Sequence, residues 1–378
     1  MLKRVLTSEP LLVMLAASCI NADPGDSSST NTGNARPSDQ EEVIIDSEAM
    51  CADCRVELTP VMEIGDPEGV GMLEAEFNWL TPDSHGRYYV YNTSAPYFWI
   101  FDSTGEAVRR VGRSGEGPGE FREITRILVA ANDSLFVHDF SLGRVTVLSD
   151  DTLLARTFSV PFTDATLGLL TGDFLIARGV VSSPERRAQP LHVLSMTGEI
   201  GLSFGGDTAL WRPELRGIVD MRSVATGDST TIWAGWWNQY LVERFDTAGN
   251  RIQAFRRNPD WFPAWWTPES SIDLPPHPIL IALQQSGDTL WVLNRIADPE
   301  WQSAVEPAGR MFRITDEARY FDTVIEAIDI RQNRLIASTR QPIKLTGFAG
   351  VNLVYGEGID SSGNPVVPIW KLSIARED

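Results

Sequence analysis

The body of the chain repeats a unit too short to bury its own apolar faces, and this limits the available folds more tightly than any composition figure. Four times between residues 77 and 256 the same order recurs: a strand, a Gly/Asp turn, a strand rich in Tyr, Val, Ile or Trp, a loop, a strand ending on an apolar residue, a polar turn and a last strand. The first copy runs through 77–81, 87–92 (RYYVYN), 97–101 (YFWIF) and 107–111, and the second through 124–130, 135–139 (LFVHD), 144–148 (RVTVL) and 153–158. The third offers 174–178 (FLIAR), 191–194 and 199–204, and the fourth 221–226, 231–235 (TIWAG), 240–245 (YLVERF) and 251–256. The apolar residue ahead of each polar turn is Phe101, Leu148, Leu194 and Phe245, at spacings of 47, 46 and 51 residues. That matches the roughly 40–50-residue period of four-stranded propeller blades, each of which needs neighbours to cover it. No amphipathic run of three helical turns interrupts the pattern, so the expected fold class is all-β.

A fifth unit is stretched by insertions into 279–284, 289–293 (TLWVL), 323–329 and 334–338, and a sixth has only 343–348, 353–355 and 366–374. The sixth lacks a fourth strand, and 56–64 (VELTPVMEI), ahead of the first full copy, has the character of one. Pairing that N-terminal strand with the C-terminal blade would close a six-bladed ring over 55–378 and remove the open edge of an unclosed array. The loop VGRSGEGPGEF (111–121) resembles the inter-blade loop of NHL-type six-bladed propellers. Residues 56–378 as a whole resemble the secreted six-bladed propeller lipoproteins of Bacteroidetes and Gemmatimonadetes-like bacteria. The resemblance implies a fold; such propellers serve as lactonases, lyases, ligand binders and scaffolds, so it implies no single function.

The N-terminus reads as an address. Lys3 and Arg4 precede an apolar run at 11–17 (LLVMLAA) that is too short to span a bilayer, so 1–18 is read as a signal peptide. The run ends in Ala16-Ala17-Ser18-Cys19, which resembles the lipobox of bacterial lipoproteins, although the family prefers Leu where Ala16 stands. The resemblance implies cleavage before Cys19 and its lipidation, with Ile20 in the next position favouring the outer membrane. Acyl chains contribute about 0.8 kcal/mol per buried CH₂, so several chains anchor a domain with no transmembrane helix. Residues 19–54 are read as a flexible tether, because 21–46 is mostly Asn, Asp, Ser, Thr, Gly and Pro. Cys51 and Cys54 form a Cys-x-x-Cys within it. A local disulfide suits an exported chain better than a redox pair, which lacks its βαβ setting, or half a zinc site, which lacks a second ligand pair.

A formal charge of −19 over 378 residues argues against a nucleic-acid partner. Losing 1–18 removes Lys3, Arg4 and Glu9 and leaves the chain one unit more acidic, so membrane contact is expected only through the lipid. The Gly115, Gly117, Gly119 loop is no phosphate cradle: Pro118 lacks a donor, and Glu116 and Glu120 repel phosphate. His85, His138, His192 and His277 have no nucleophile motif to serve. A lactonase or lyase at the channel mouth would gather Glu, Asn and Asp around a central Ca²⁺, and loop carboxylates are plentiful.

Two features are sharper. Arg126 and Arg222 fall on the expected innermost strands, where they could face the axial channel and hold a carboxylate or sulfate, or bridge to a neighbouring blade. Nine of the 12 Trp lie between Trp211 and Trp301, among them Trp236, Trp237, Trp261, Trp265 and Trp266. The insertion at 258–278 carries the last three and is read either as a wall beside the mouth that stacks on a ligand or as a flap packed on its own blades. The resulting expectation is a monomeric, envelope-anchored module, facing the periplasm or cell surface, that binds a small molecule, glycan or protein without catalysis. The alternative is the metal-dependent lactonase or lyase.

Overall fold

The computed structural model describes residues 42–376 apart from 47, 66–70, 74–77, 150–152, 161–165, 172–173, 180, 182–185, 187, 207–220, 228–229, 268–270 and 310. The expected signal peptide, Cys19 and Trp211 lie outside the described residues.

Among the described residues the first strands are β1 (Val43–Ile44) and β2 (Cys54–Ile64), and the first blade follows from β3 (Trp79–Pro82), β4 (Tyr88–Tyr91), β5 (Phe98–Phe101) and β6 (Ala107–Val111). The second blade holds β7 (Ile124–Val129), β8 (Leu135–Asp139), β9 (Arg144–Leu148) and β10 (Leu154–Ser159). The third holds β11 (Thr166–Thr171), β12 (Phe174–Arg178), β13 (Leu191–Ser195) and β14 (Ile200–Phe204). The fourth comprises β15 (Arg222–Thr226), β16 (Thr231–Trp236), β17 (Leu241–Asp246) and β18 (Arg251–Arg256). The fifth comprises β19 (Ile279–Ser286), β20 (Thr289–Ala297), β23 (Phe321–Asp329) and β24 (Arg334–Gln341), with a separate hairpin of β21 (Val305–Ala308) and β22 (Met311–Ile314) inserted. The sixth blade is β25 (Leu345–Gly350), β26 (Leu353–Gly356) and β28 (Pro365–Arg376), with short β27 (Gly358–Ile359) beside β28. Its outermost strand is β2, antiparallel to β28 with Val56 opposite Ile374 and Ile64 opposite Val367.

Burial explains why the second strand of each blade reads as an unbroken apolar run. A blade is covered on both faces by its neighbours, so YYVY in β4, LFVHD in β8 and TIWAGW in β16 are buried throughout, while LARTFS in β10, at an outer edge, is almost wholly exposed. Six apolar clusters fill the six seams. Tyr89, Phe98, Ile124 and Val137 join the first and second blades, whereas Ile64, Val367, Tyr88 and Phe101 join the sixth back to the first. The first strands of successive blades touch in a closed cycle, β3 to β7, β11, β15, β19, β25 and back to β3, so they line the axis.

The polar turns of the repeat have a common mechanism. In DSTGE, DTAGN and DSSGN the Asp102, Asp246 and Asp360 carboxylates each accept the backbone N–H groups two and four residues on, at 2.8–3.1 Å. Gly105 completes the first of these at φ +86°, a conformation that side-chain-bearing residues rarely adopt. The 111–121 loop is structural, as its composition implies: Phe121 is fully buried in the first seam, and Arg144 donates to the carbonyls of Glu116, Gly117 and Glu120.

The stretch read as tether contains more order than its composition implies. β1 lies parallel to the outer strand β18, Ile45 is buried in the seam between blades four and five, Glu42 pairs with Arg256, and the Met50 N–H reaches the Leu335 carbonyl at 2.7 Å. Residues 42–53 are therefore a strap across the outer edges of two blades. The reason is edge chemistry: β18 offers unpaired backbone groups and a hydrophobic slot that a two-residue strand and one Ile can fill. Cys51 and Cys54 form a disulfide, Cα–Cα 5.2 Å, where the strap turns into β2.

If closure through β2 holds the ring, placing a charge at Val56, which is 1% exposed, should destabilise the protein by about 3 kcal/mol or more. Val56→Asp is expected to lower the urea midpoint strongly, whereas Val61→Asp, at an exposed position on the same strand, should leave it within error.

Candidate functional site

The two ends of the blades differ. At the end where each first strand turns into the second, connections are tight, as at 83–87, 130–134 and 287–288, and the hairpins at 102–106, 247–250 and 330–333 lie at the same end. The long connections, 65–78, 112–123, 179–190, 205–221, 257–278 and 298–320, all leave from the opposite end. At the tight-turn end the axis opens into a cavity of about 370 Å³ lined by uncharged groups, including Thr81, Leu128, Val224, Thr226, Leu283 and Gln285.

Strand register brings a different set to the long-connection end. Tyr91 lies opposite Trp79, His138 opposite Arg126, Arg178 opposite Thr166, Trp236 opposite Arg222, Arg295 opposite Ile279 and Tyr355 opposite Gly347. Each belongs to the last turn of a second strand or the start of a first strand, so the same end of every blade contributes. Arg178 is half-buried; its Nη1 donates to the Arg222 carbonyl at 2.7 Å and its guanidinium lies 5.5 Å from the centroid of Trp237. Burial, reinforced by the like charge of Arg126, brings the Arg178 pKa down to about 10, with Tyr91 opposing. Burial also pushes the Tyr355 phenol up, and Tyr91 adds to it; the Tyr355 hydroxyl oxygen accepts the Leu80 N–H at 3.2 Å.

On the far side of the axis the charges are compensated. Arg295, lowered by burial, feels Glu357 and Glu317, and Lys344 binds both carboxylates, the Glu357 contact at 2.7 Å. Near the axis His138 is buried and bonded through Nδ1 to Thr125 Oγ1 at 2.9 Å; burial takes its pKa down to about 4, against a small upward pull from Asp139.

Of the two arginines singled out by sequence, Arg126 belongs to this cluster. Arg222 stands on the innermost strand as expected, but it is 1% exposed: its guanidinium lies 3.2 Å from the Trp236 ring centroid and Nη1 donates to the Met221 carbonyl at 3.1 Å. It supports Arg178 through its backbone carbonyl and does not present its own charge to the channel.

Of the two readings of the tryptophan-rich insertion, its described contacts follow the packed one. Trp261 and Phe262 pack at a tilt against Tyr240, with centroids 6.1 and 5.6 Å away. Trp265 Nε1 donates to the Pro278 carbonyl at 2.7 Å, its ring lies parallel to His277 at 4.8 Å, and Asn238 exchanges hydrogen bonds with its backbone. Trp236 Nε1 is bound by Glu243 and Trp237 Nε1 by Ser223, leaving Trp266, at 41%, as the exposed member. The physical reason is that an indole N–H and a large apolar face gain more from a fixed partner on the blade than from water.

Sequence reasoning missed Arg178, Tyr91 and Tyr355. A signal was present: FLIAR ends an apolar second strand with a charge, and a strand covered on both faces can place an arginine only at its end.

A group of three potential metal ligands among the described residues, Asp83, His85 and Asp133, lies at the tight-turn end. The Asp83 carboxylate there already holds Arg87 and the backbone N–H groups of His85 and Arg87.

Two outcomes follow. Since the folded His138 pKa is depressed below its ordinary 6.5, its contribution to stability is complete above pH 6.5 and is lost as pH falls toward 4, with about 2 kcal/mol gone by pH 5. His138→Gln should flatten that segment of a urea-derived stability profile relative to the parent protein. For the flap, Trp265→Ala should cost about 3 kcal/mol in denaturant melts, and Trp266→Ala about 0.5 kcal/mol or less.

Comparison with known proteins supports the architecture. A family model described as a 6-bladed beta-propeller matches residues 81–165. Among solved structures, a member of the duf4221 family from Bacteroides vulgatus superposes with a TM-score of 0.60 at 11% identity, covering 85% of this chain and 99% of its own. A protein from Bacteroides fragilis gives 0.58 at 9% identity, covering 89% and 99%. Virginiamycin B lyase from Staphylococcus aureus gives 0.42 at 12% identity, covering 84% and 99%, a likeness too distant to bear on activity. Among curated proteins, none matches the sequence. Six radial sheets, six apolar seams, the family match and the two Bacteroides superpositions make the chain a six-bladed β-propeller.

Proposed function

We propose that the protein is an exported, lipid-anchored, monomeric binding module of the cell envelope that takes a small solute at the long-connection mouth of its channel, without chemistry of its own. The observation that carries this reading is the convergence of Tyr91, Arg126, Arg178 and Tyr355 on the axis at the end where all the long connections gather. Loops held by a rigid scaffold are where recognition concentrates. These four side chains are neutral or cationic, and the carboxylates nearby, Glu317 and Glu357, are engaged by Lys344. A divalent-ion site of the lactonase or lyase kind needs a ring of free oxygen ligands instead.

Export is supported by Lys3, Arg4, the apolar run at 11–17 and Cys19, and a Cys51–Cys54 disulfide suits an oxidising compartment. No described helix is long and apolar enough to cross a membrane, so attachment falls to the lipid.

Two measurements test the reading. Expressed in a bacterial host, the protein should partition into the detergent phase, and Cys19→Ala should move it to the aqueous phase; equal partitioning of both would remove the anchor. Titration with a broad panel of small solutes and glycans should give a saturable change in tryptophan fluorescence, because Trp236 and Trp237 sit against Arg222 and Arg178. A flat response across the panel, together with a rise in Tm on adding Ca²⁺, would favour the metal-dependent alternative.

A further inference from the structure

Resting on that reading and sharpening it, we infer that the axial seat formed by Tyr91, Arg126, Arg178 and Tyr355 binds the carboxylate group of a small monoanionic solute. The four side chains come from blades one, two, three and six, so the seat exists only in the closed ring.

The argument begins with hydrogen-bond supply. The Tyr91 hydroxyl is buried and has no hydrogen-bond partner, and the same holds for Nε of Arg178. Arg178 spends one nitrogen on the Arg222 carbonyl, and none of its contacts is a carboxylate. Tyr355 accepts the Leu80 N–H through its oxygen and so keeps its own proton to give. Burial of two such donors is unfavourable unless something accepts from them.

Charge selects the acceptor. Arg126 and Arg178 are close enough to act on one another, and both act within reach of the tyrosines, Arg178 on Tyr91 and Arg126 on Tyr355. Two guanidiniums and two phenols form a set of donors, which repels cations and is matched by an oxyanion; the guanidinium fork fits a carboxylate in particular. Glu357 acts on the same Tyr355 and would oppose a second negative charge, which favours a monoanion over sulfate or phosphate dianions. The seat is also distinct from the cavity at the tight-turn mouth, whose described lining residues are all uncharged.

The experiment is isothermal titration calorimetry on the full-length protein in chloride buffer, with sodium acetate, sodium benzoate, sodium sulfate and neutral benzamide as probes. Acetate and benzoate are expected to bind to one site and sulfate at least tenfold more weakly. Arg178→Gln should weaken carboxylate binding at least tenfold, and Tyr91→Phe about threefold or more, with Tm of the Phe variant unchanged or raised because a buried unsatisfied hydroxyl is gone. Should Arg178→Gln fail to fold, Arg178→Lys keeps the charge but loses the fork and should weaken benzoate at least threefold. Preference for sulfate, or carboxylate affinity indifferent to both Arg178 and Tyr91 variants, overturns the inference. Saturable benzamide binding with no response to carboxylates overturns the inference while the binding reading stands; a flat result with every probe here and across the wider fluorescence panel overturns both.

Discussion

Closure of the ring is the constraint on which everything else depends. No blade can cover its own faces, so each seam is a shared apolar core, and the sixth seam exists only because Ile64, Val367 and Ile369 meet Leu80, Tyr88 and Phe101. The strand that completes the last blade comes from the opposite end of the chain, and its pairing spans from Cys54 opposite Arg376 to Ile64 opposite Val367. Two backbone-to-side-chain bonds fasten it further, from the Val56 N–H to Thr339 and from Gln341 to the Val56 carbonyl. Non-local closure of this kind pays loop entropy late, and the strap at 42–53 and the Cys51–Cys54 bridge hold the entering segment against the blades it must pass.

Closure also creates the axis and makes its ends unequal. Antiparallel meanders put alternate connections at opposite ends, and here insertions accumulate at one end only. Tight Asx-type turns at the other end leave short, self-satisfied loops around an opening whose described lining is uncharged. At the long-connection end, second strands that are buried along their length release their last side chains toward the centre. That is the one place where an arginine such as Arg178 can end a fully covered strand without crossing an apolar seam.

The fold was legible because short apolar strand runs, turn chemistry and a near-constant spacing all agree in this chain. The segments RYYVYN, LFVHD and TIWAG are strands where expected, and the Asp-x-x-Gly turns act through their carboxylates. The strap was less legible, since two residues of strand and one buried Ile leave almost no trace in a Ser/Asp/Asn-rich composition. The site was half legible. Placing Arg126 on an innermost strand needed only the repeat, but judging that Arg222 is spent on Trp236, or that Trp265 is fixed by Pro278 and His277, required partners distant in sequence.

By itself, then, the sequence determined the all-β class, the blade period and the count of six, because these are local or periodic properties that side-chain chemistry writes directly into the chain. Only the tertiary structure decided which polar groups meet at the axis. Tyr91, Arg126, Arg178 and Tyr355 are brought together by register in four blades and by the curvature that closes them, and no spacing along a single strand encodes that convergence.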